Sequence, residues 1–213
     1  MAMWAAGLAA GGGLVVRWQI VGRGYVWLTA GVVVLVGFGL SLISGSAVAW
    51  AATAMAAAAV FAASRAGAAV AAFALATVLF VVAGLVDSSV LPLATGALFL
   101  GAVTTEMMLG HWFLIDPQLP RWSLSRLALI GAVGLGVDVV YLATQGLIAG
   151  ATADPILGWA YLALTVMTAL LIVGVVFSLR EPSYTGVMAA TGLSYLAVLT
   201  AFGVAVVGRM LAT

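Results

Sequence analysis

Seven basic and six acidic side chains are all that 213 residues carry, and the stretches between them reach membrane length without a charge. Residues 24–64 hold none, nor do 66–86, 155–179 or 182–208. With 66% of residues hydrophobic and 6% charged, the chain cannot cover a water-facing surface, for which an average soluble domain draws on about 25% charged residues. A soluble enzyme, a disordered regulator and a nucleic-acid-binding protein are excluded on that ground. What is left is an integral membrane protein.

Span length then limits the architecture. A membrane helix needs about 20 apolar residues, so eight would use roughly 160 and leave only short connections. Apolar runs fall at roughly 2–20, 25–44, 46–64, 66–86, 90–112, 124–148, 155–179 and 183–208. The expected fold is an all-α polytopic bundle of about eight transmembrane helices. It becomes seven if the N-terminal segment lies in the interface, a reading favoured by its shortness and by Gly11, Gly12 and Gly13. Residues 1–213 are expected to form a single transmembrane domain with no extramembrane domain. Met1-Ala2-Met3-Trp4 has no basic region ahead of the apolar run, so the first segment is expected to be retained and not cleaved.

The punctuation between runs has helix-start chemistry. Asp87-Ser88-Ser89 precedes Pro92, Asp154 precedes Pro155, and Glu181 precedes Pro182. A side-chain oxygen can accept from free first-turn amides, and proline tolerates the first turn. Asp116-Pro117 through Pro120 opposes helix continuation and reads as a loop.

The arginines order these segments across the bilayer. With alternating connections, Arg17, Arg23, Arg65, Arg121, Arg126 and Arg180 all fall at one end, and Arg209 alone falls at the other. Positive charge collects in cytoplasmic loops, which places both termini on the non-cytoplasmic side. The expected location is a bacterial or archaeal cytoplasmic membrane. Trp18, Trp27, Trp112 and Trp122 flank the arginine-rich end, where an amphipathic ring anchors at the headgroup level. Trp112, Trp122, Arg121 and Arg126 are therefore expected to be interfacial anchors. A faint four-plus-four duplication is suggested by Arg17-Trp18 recurring as Arg121-Trp122, and by Trp50 against Trp159.

Three absences narrow the chemistry. All seven bases are arginine, so no lysine is available for a Schiff-base chromophore. No cysteine offers thiolate chemistry, and His111 is the sole histidine, which excludes a haem held by two histidines of this chain. Walker, HExxH and GxSxG motifs are missing. No metal site and no covalently bound cofactor are expected.

Two polar groups inside apolar runs stand out. Glu106 and His111 lie five residues apart near the arginine-rich end of the fifth run. A carboxyl and an imidazole are the groups that a quinone headgroup needs for hydrogen bonds and protons. Arg180 and Tyr184 stand at the same end, and together with Arg121 and Arg126 they could complete one polar site there. Tyr184, Thr191 and Tyr195 share a helical face. The second group is Asp138, placed near the middle of the sixth run. An ionised aspartate there costs about 2.5–3.5 kcal/mol on insertion scales unless it is paired or hydrated. Tyr141 and Gln145 follow on the same face and make a polar stripe.

Three functions follow as expectations. The first is a membrane subunit of a respiratory or other electron-transfer complex, anchoring redox partners and lining a quinone site or proton path; the second is a small proton-coupled transporter or channel using Asp138. The third is a scaffold subunit without an active site. The expected partners are membrane lipids and other subunits of a membrane complex, with quinone and lipids as the ligands to consider.

Overall fold

In a computed structural model of the chain, residues 1–86, 88–145 and 155–211 are described. They form eight α-helices: α1 (Ala2–Arg17), α2 (Arg23–Ser44), α3 (Ala47–Phe61), α4 (Ala66–Gly84), α5 (Val90–Ile115), α6 (Arg121–Thr144), α7 (Pro155–Arg180) and α8 (Tyr184–Leu211). A single 3₁₀ turn, Ala62–Ser64, extends α3. No strand occurs among the described residues. Seven helices, α2 to α8, are long and apolar enough to cross a membrane once α3 is counted with that turn. The protein is a multi-pass, all-α membrane protein.

Local chemistry accounts for most boundaries. α2 stops at Gly45, whose φ of 61° only glycine adopts readily and whose N–H returns to the Ser41 carbonyl. α6 follows Pro120 directly, and Ser123 Oγ donates to the Pro120 carbonyl at 2.7 Å. α8 is capped by Ser183 Oγ, which accepts from the Gly186 N–H at 3.4 Å. The cap therefore lies two residues beyond the expected Glu181. Asp87 and Asp154 lie outside the described residues.

The helices pack as two groups of four. α1 touches α2 and α4, while α3 joins α2 to α4. In the same way α5 touches α6 and α8, while α7 joins α6 to α8. The groups meet chiefly where α1 lies against α5. Met3 faces Gly96, Gly7 faces Ala97 and Gly101, and Gly11 faces Thr105, so the two helices run parallel. That direction requires an odd number of crossings between them, and α2, α3 and α4 supply three. It also fits halves related by an axis along the membrane normal, as the Arg-Trp recurrence suggests.

α1 does not lie across the surface as an interfacial helix would. Its 16 residues extend about 24 Å alongside α5, with Ala5, Leu8, Ala9 and Val15 fully buried. α5 is the most enclosed span, 67% buried along its apolar window, against 22% for α7.

Contacts between helix ends confirm the alternation. Trp18 after α1 meets Trp122 of α6 edge-to-face at 5.1 Å. Trp27 of α2 donates its indole N–H to the Val60 carbonyl of α3 at 3.1 Å. Arg121 of α6 holds the connection between α7 and α8. All six arginines expected at one end are there.

The α1–α5 seam is tight enough to test. A Cβ on Gly101 would overlap the Gly7 backbone, whereas one on Gly136 would meet nothing within 4 Å. Gly101→Ala should cost about 1–3 kcal/mol through overpacking and lower the unfolding midpoint of the detergent-purified chain. Gly136→Ala should leave it unchanged; equal midpoints for both variants would mean that the seam is loose.

Candidate functional site

Asp138 is fully buried on α6. It lies six residues before the end of that helix at Thr144, in the half away from the arginine cluster. Its partner is the lone arginine of that end. Arg209 Nη2 lies 2.6 Å from Asp138 Oδ1, and Nη1 lies 3.3 Å from Oδ2. Thr95 of α5 donates its hydroxyl to Oδ1 at 2.7 Å. Arg209 Nη2 also donates to the Pro92 carbonyl at 2.8 Å. Three helices thus close one ionic cluster, and both carboxylate oxygens are satisfied. This is the one salt bridge among the described residues.

Small residues make the approach possible. A Cβ on Gly96 would come within 2.8 Å of Arg209 Nη2, and one on Gly208 within 2.8 Å of Leu142 and 3.0 Å of Tyr161. The two glycines let the end of α8 reach α5, α6 and α7 together. Arg209 is not sealed in. Its side chain is 21% exposed and faces a cavity of about 420 Å³ whose walls include Met3, Leu40, Ser44, Leu93 and Tyr141. The polar stripe therefore rises from buried Asp138, through half-buried Tyr141 on the cavity wall, to exposed Gln145 at the helix end.

The residues expected to gather at the arginine-rich end are dispersed. Glu106 is 3% exposed and points inward among α5, α6, α7 and α8. Val103, Ala128, Ile172, Val175 and Ala197 surround a void of about 10 Å³ beside it, and Oε1 has no hydrogen-bond partner. Ser194 of α8 flanks the carboxyl. His111 points the other way, since five residues rotate a helix by about 500°, or 140° net. Its Nδ1 lies 2.9 Å from the Tyr195 hydroxyl, and both side chains are exposed on the outer face of the bundle. No hydrogen bond or ion pair links His111 to Glu106.

The remaining expected residues have separate partners. Arg121 donates to the carbonyls of Glu181, Pro182 and Ser183, the last at 3.0 Å. Arg126 stacks over Trp122 at 4.5 Å, and Arg180 over Phe177 at 4.5 Å. Tyr184 and Tyr195 are exposed, while Thr191, on the same face, is buried against Gly110. Trp122 is exposed and fits an interfacial position. Trp112 differs from the anchor expectation. Its ring fills the notch left by Gly24 and meets Tyr25 edge-to-face at 6.2 Å, with its N–H buried inside the protein.

Sequence reasoning missed Arg209, Thr95 and Pro92 as site residues. A usable signal was present: the one acid deep in the sixth run and the one arginine at the sparse end belong to the same side of the membrane. Among the described residues no group of three or more His, Cys, Asp or Glu side chains could hold a metal ion. Comparison with protein-family models, curated proteins and solved structures returns no match.

The ion pair sets a clear energetic expectation. Removing one partner leaves an uncompensated buried charge and costs about 3–5 kcal/mol, whereas an apolar pair of similar volume can be neutral. Asp138→Ala and Arg209→Ala should each lower the unfolding midpoint markedly. Combining Asp138→Leu with Arg209→Met should recover most of the loss. A double variant as unstable as either single one would assign the loss to altered packing and not to unpaired charge.

Proposed function

We propose that the chain is a small proton-coupled membrane transporter in which Asp138 is the coupling carboxyl and Arg209 its exchangeable partner. The observation that carries this reading is a fully buried aspartate whose arginine faces a cavity. An anion arriving at Arg209 competes with Asp138 for the guanidinium. The released carboxylate then has to be paired or protonated, because a free charge is costly at that depth. Anion binding and proton uptake are thereby linked through one side chain. The packing of two four-helix groups about α1 and α5 supports the same reading, since transporters commonly place sites between repeats.

Proteoliposomes containing the purified chain and a trapped pH dye test it. An imposed pH gradient should decay several-fold faster than in protein-free liposomes, and Asp138→Asn should return the decay to the protein-free rate. Equal decay in wild type and Asp138→Asn would remove Asp138 as the coupling group.

One observation favours a second reading, a membrane subunit of an electron-transfer complex. The His111–Tyr195 pair is hydrogen-bonded and exposed on the outer face of the bundle. A quinone diffusing in the membrane would meet a hydrogen-bonding imidazole and phenol there, with no covalently bound cofactor required. In that role the chain sits in a bacterial or archaeal cytoplasmic membrane with partner subunits, and Glu106 belongs to a proton path. Purification from native membranes should then recover stoichiometric haem, flavin or iron–sulfur proteins. His111→Ala should slow quinone turnover of that assembly about 10²-fold, within the range for loss of an acid–base group, and Glu106→Gln should slow it as well. Recovery of the chain alone, or unchanged turnover in both variants, would eliminate this reading.

A further inference from the structure

The cavity beside Arg209 has a composition that selects a ligand. Its volume, about 420 Å³, lies in the range of small-molecule sites. Met3, Leu40, Ala83 and Leu93 give it apolar walls. Among the described residues, Arg209 is the one charged side chain lining it and no carboxylate does, because Asp138 lies behind the guanidinium. The cavity sits between the two groups of helices, at the ends of α2, α4 and α8 and the start of α5.

The guanidinium has capacity left for a ligand. It carries five N–H donors. Nη1 and Nη2 serve Asp138, Pro92 and Thr95, and Nε has no hydrogen-bond partner among the described residues. Ser44, Ser88, Ser89 and Tyr141 also line the cavity. One chamber is therefore lined by both hydrogen-bond donors and apolar side chains. Arg209 lies in the last turn of α8, two residues before Leu211, where basic pockets between helices meet headgroups.

We infer that this cavity binds an amphiphile with one oxyanionic head, a carboxylate or a phosphate, on Arg209 and an apolar tail along Leu40, Ala83 and Leu93. The inference rests on the reading of the Asp138–Arg209 pair as a ligand-facing site, and it names the class of ligand. The head is the anion that competes with Asp138. The tail accounts for the apolar part of the lining, Leu40, Ala83 and Leu93.

The full-length chain in a neutral maltoside detergent provides the test, with the excess of uncharged heads as an internal control. Dodecanoate and dodecyl phosphate should bind saturably by calorimetry and raise the unfolding midpoint. Arg209→Lys keeps a cation beside Asp138 but loses the planar fork. Ser44→Trp fills the cavity from an exposed position without touching the ion pair. Each substitution should weaken binding by at least about tenfold, the scale of one charge-assisted hydrogen bond or of a lost apolar contact surface. Dodecanol binding as tightly as dodecanoate, acetate or inorganic phosphate binding as tightly as the amphiphiles, or affinities unchanged in both variants would overturn the inference.

Native mass spectrometry identifies the source of the head. A phospholipid retained stoichiometrically by the wild type and lost from Ser44→Trp assigns it to the bilayer. A bare chain that then takes up dodecanoate assigns it to a single-chain acid. Tight, Arg209-dependent binding with proton flux insensitive to Asp138→Asn would sink the transport reading and leave the ligand class standing. Asp138-dependent flux without amphiphile binding would do the reverse.

Discussion

The contact between α1 and α5 is the constraint on which the rest of the structure depends. Lipid tails are as apolar as leucine, so helices in a bilayer gain little from hiding hydrophobic surface from one another. Association relies on close fit. Gly7 and Gly101 bring two backbones together, and Gly11 and Gly96 extend the same seam in both directions. Each four-helix group hangs on one side of that seam. Without it, α2 to α4 and α6 to α8 would have few reasons to share a fixed orientation.

The seam also makes sense of the charge economy. Six arginines lie at one end, and three of them find carbonyls or aromatic rings there. Arg121 meets three backbone carbonyls, while Arg126 and Arg180 lie on Trp122 and Phe177. The opposite end has one arginine, and that arginine is committed to a buried acid. The same side-chain type thus serves two purposes, decided by whether solvent or a carboxylate is within reach.

Much of the fold was legible in the sequence because hydrocarbon imposes a simple rule: every backbone group must be satisfied within a helix. Charge-free runs of span length therefore translate directly into helices, and alternate ends are then marked by arginine. Helix caps were harder to assign, as Ser183 shows, since several oxygens near a proline can serve and only one has the geometry. The site was less legible still. Asp138 stood out through its cost, but its partner lies 71 residues later in the chain, and pairing across helices depends on which faces meet. Glu106 and His111 look like neighbours along the chain. Their rotation about α5 sends one into the bundle and the other to its outer face. Trp112 reads as an anchor by position, and a glycine on another helix, Gly24, turns it into a packing residue.

The arginine latch at the connection between α7 and α8 has a mechanical consequence. Arg121 fastens the start of α6 to residues just before α8, and Asp138 fastens the far part of α6 to Arg209 near the end of α8. α6 is thereby tied to the two ends of α8 at two points near opposite ends of the bundle, although α5 and α7 make most of the packing between them. Sliding or tilting α6 past α8 has to break one fastening or the other. Release of Arg209 from Asp138 would leave α6 tied to α8 through Arg121 alone, at the opposite end of the bundle.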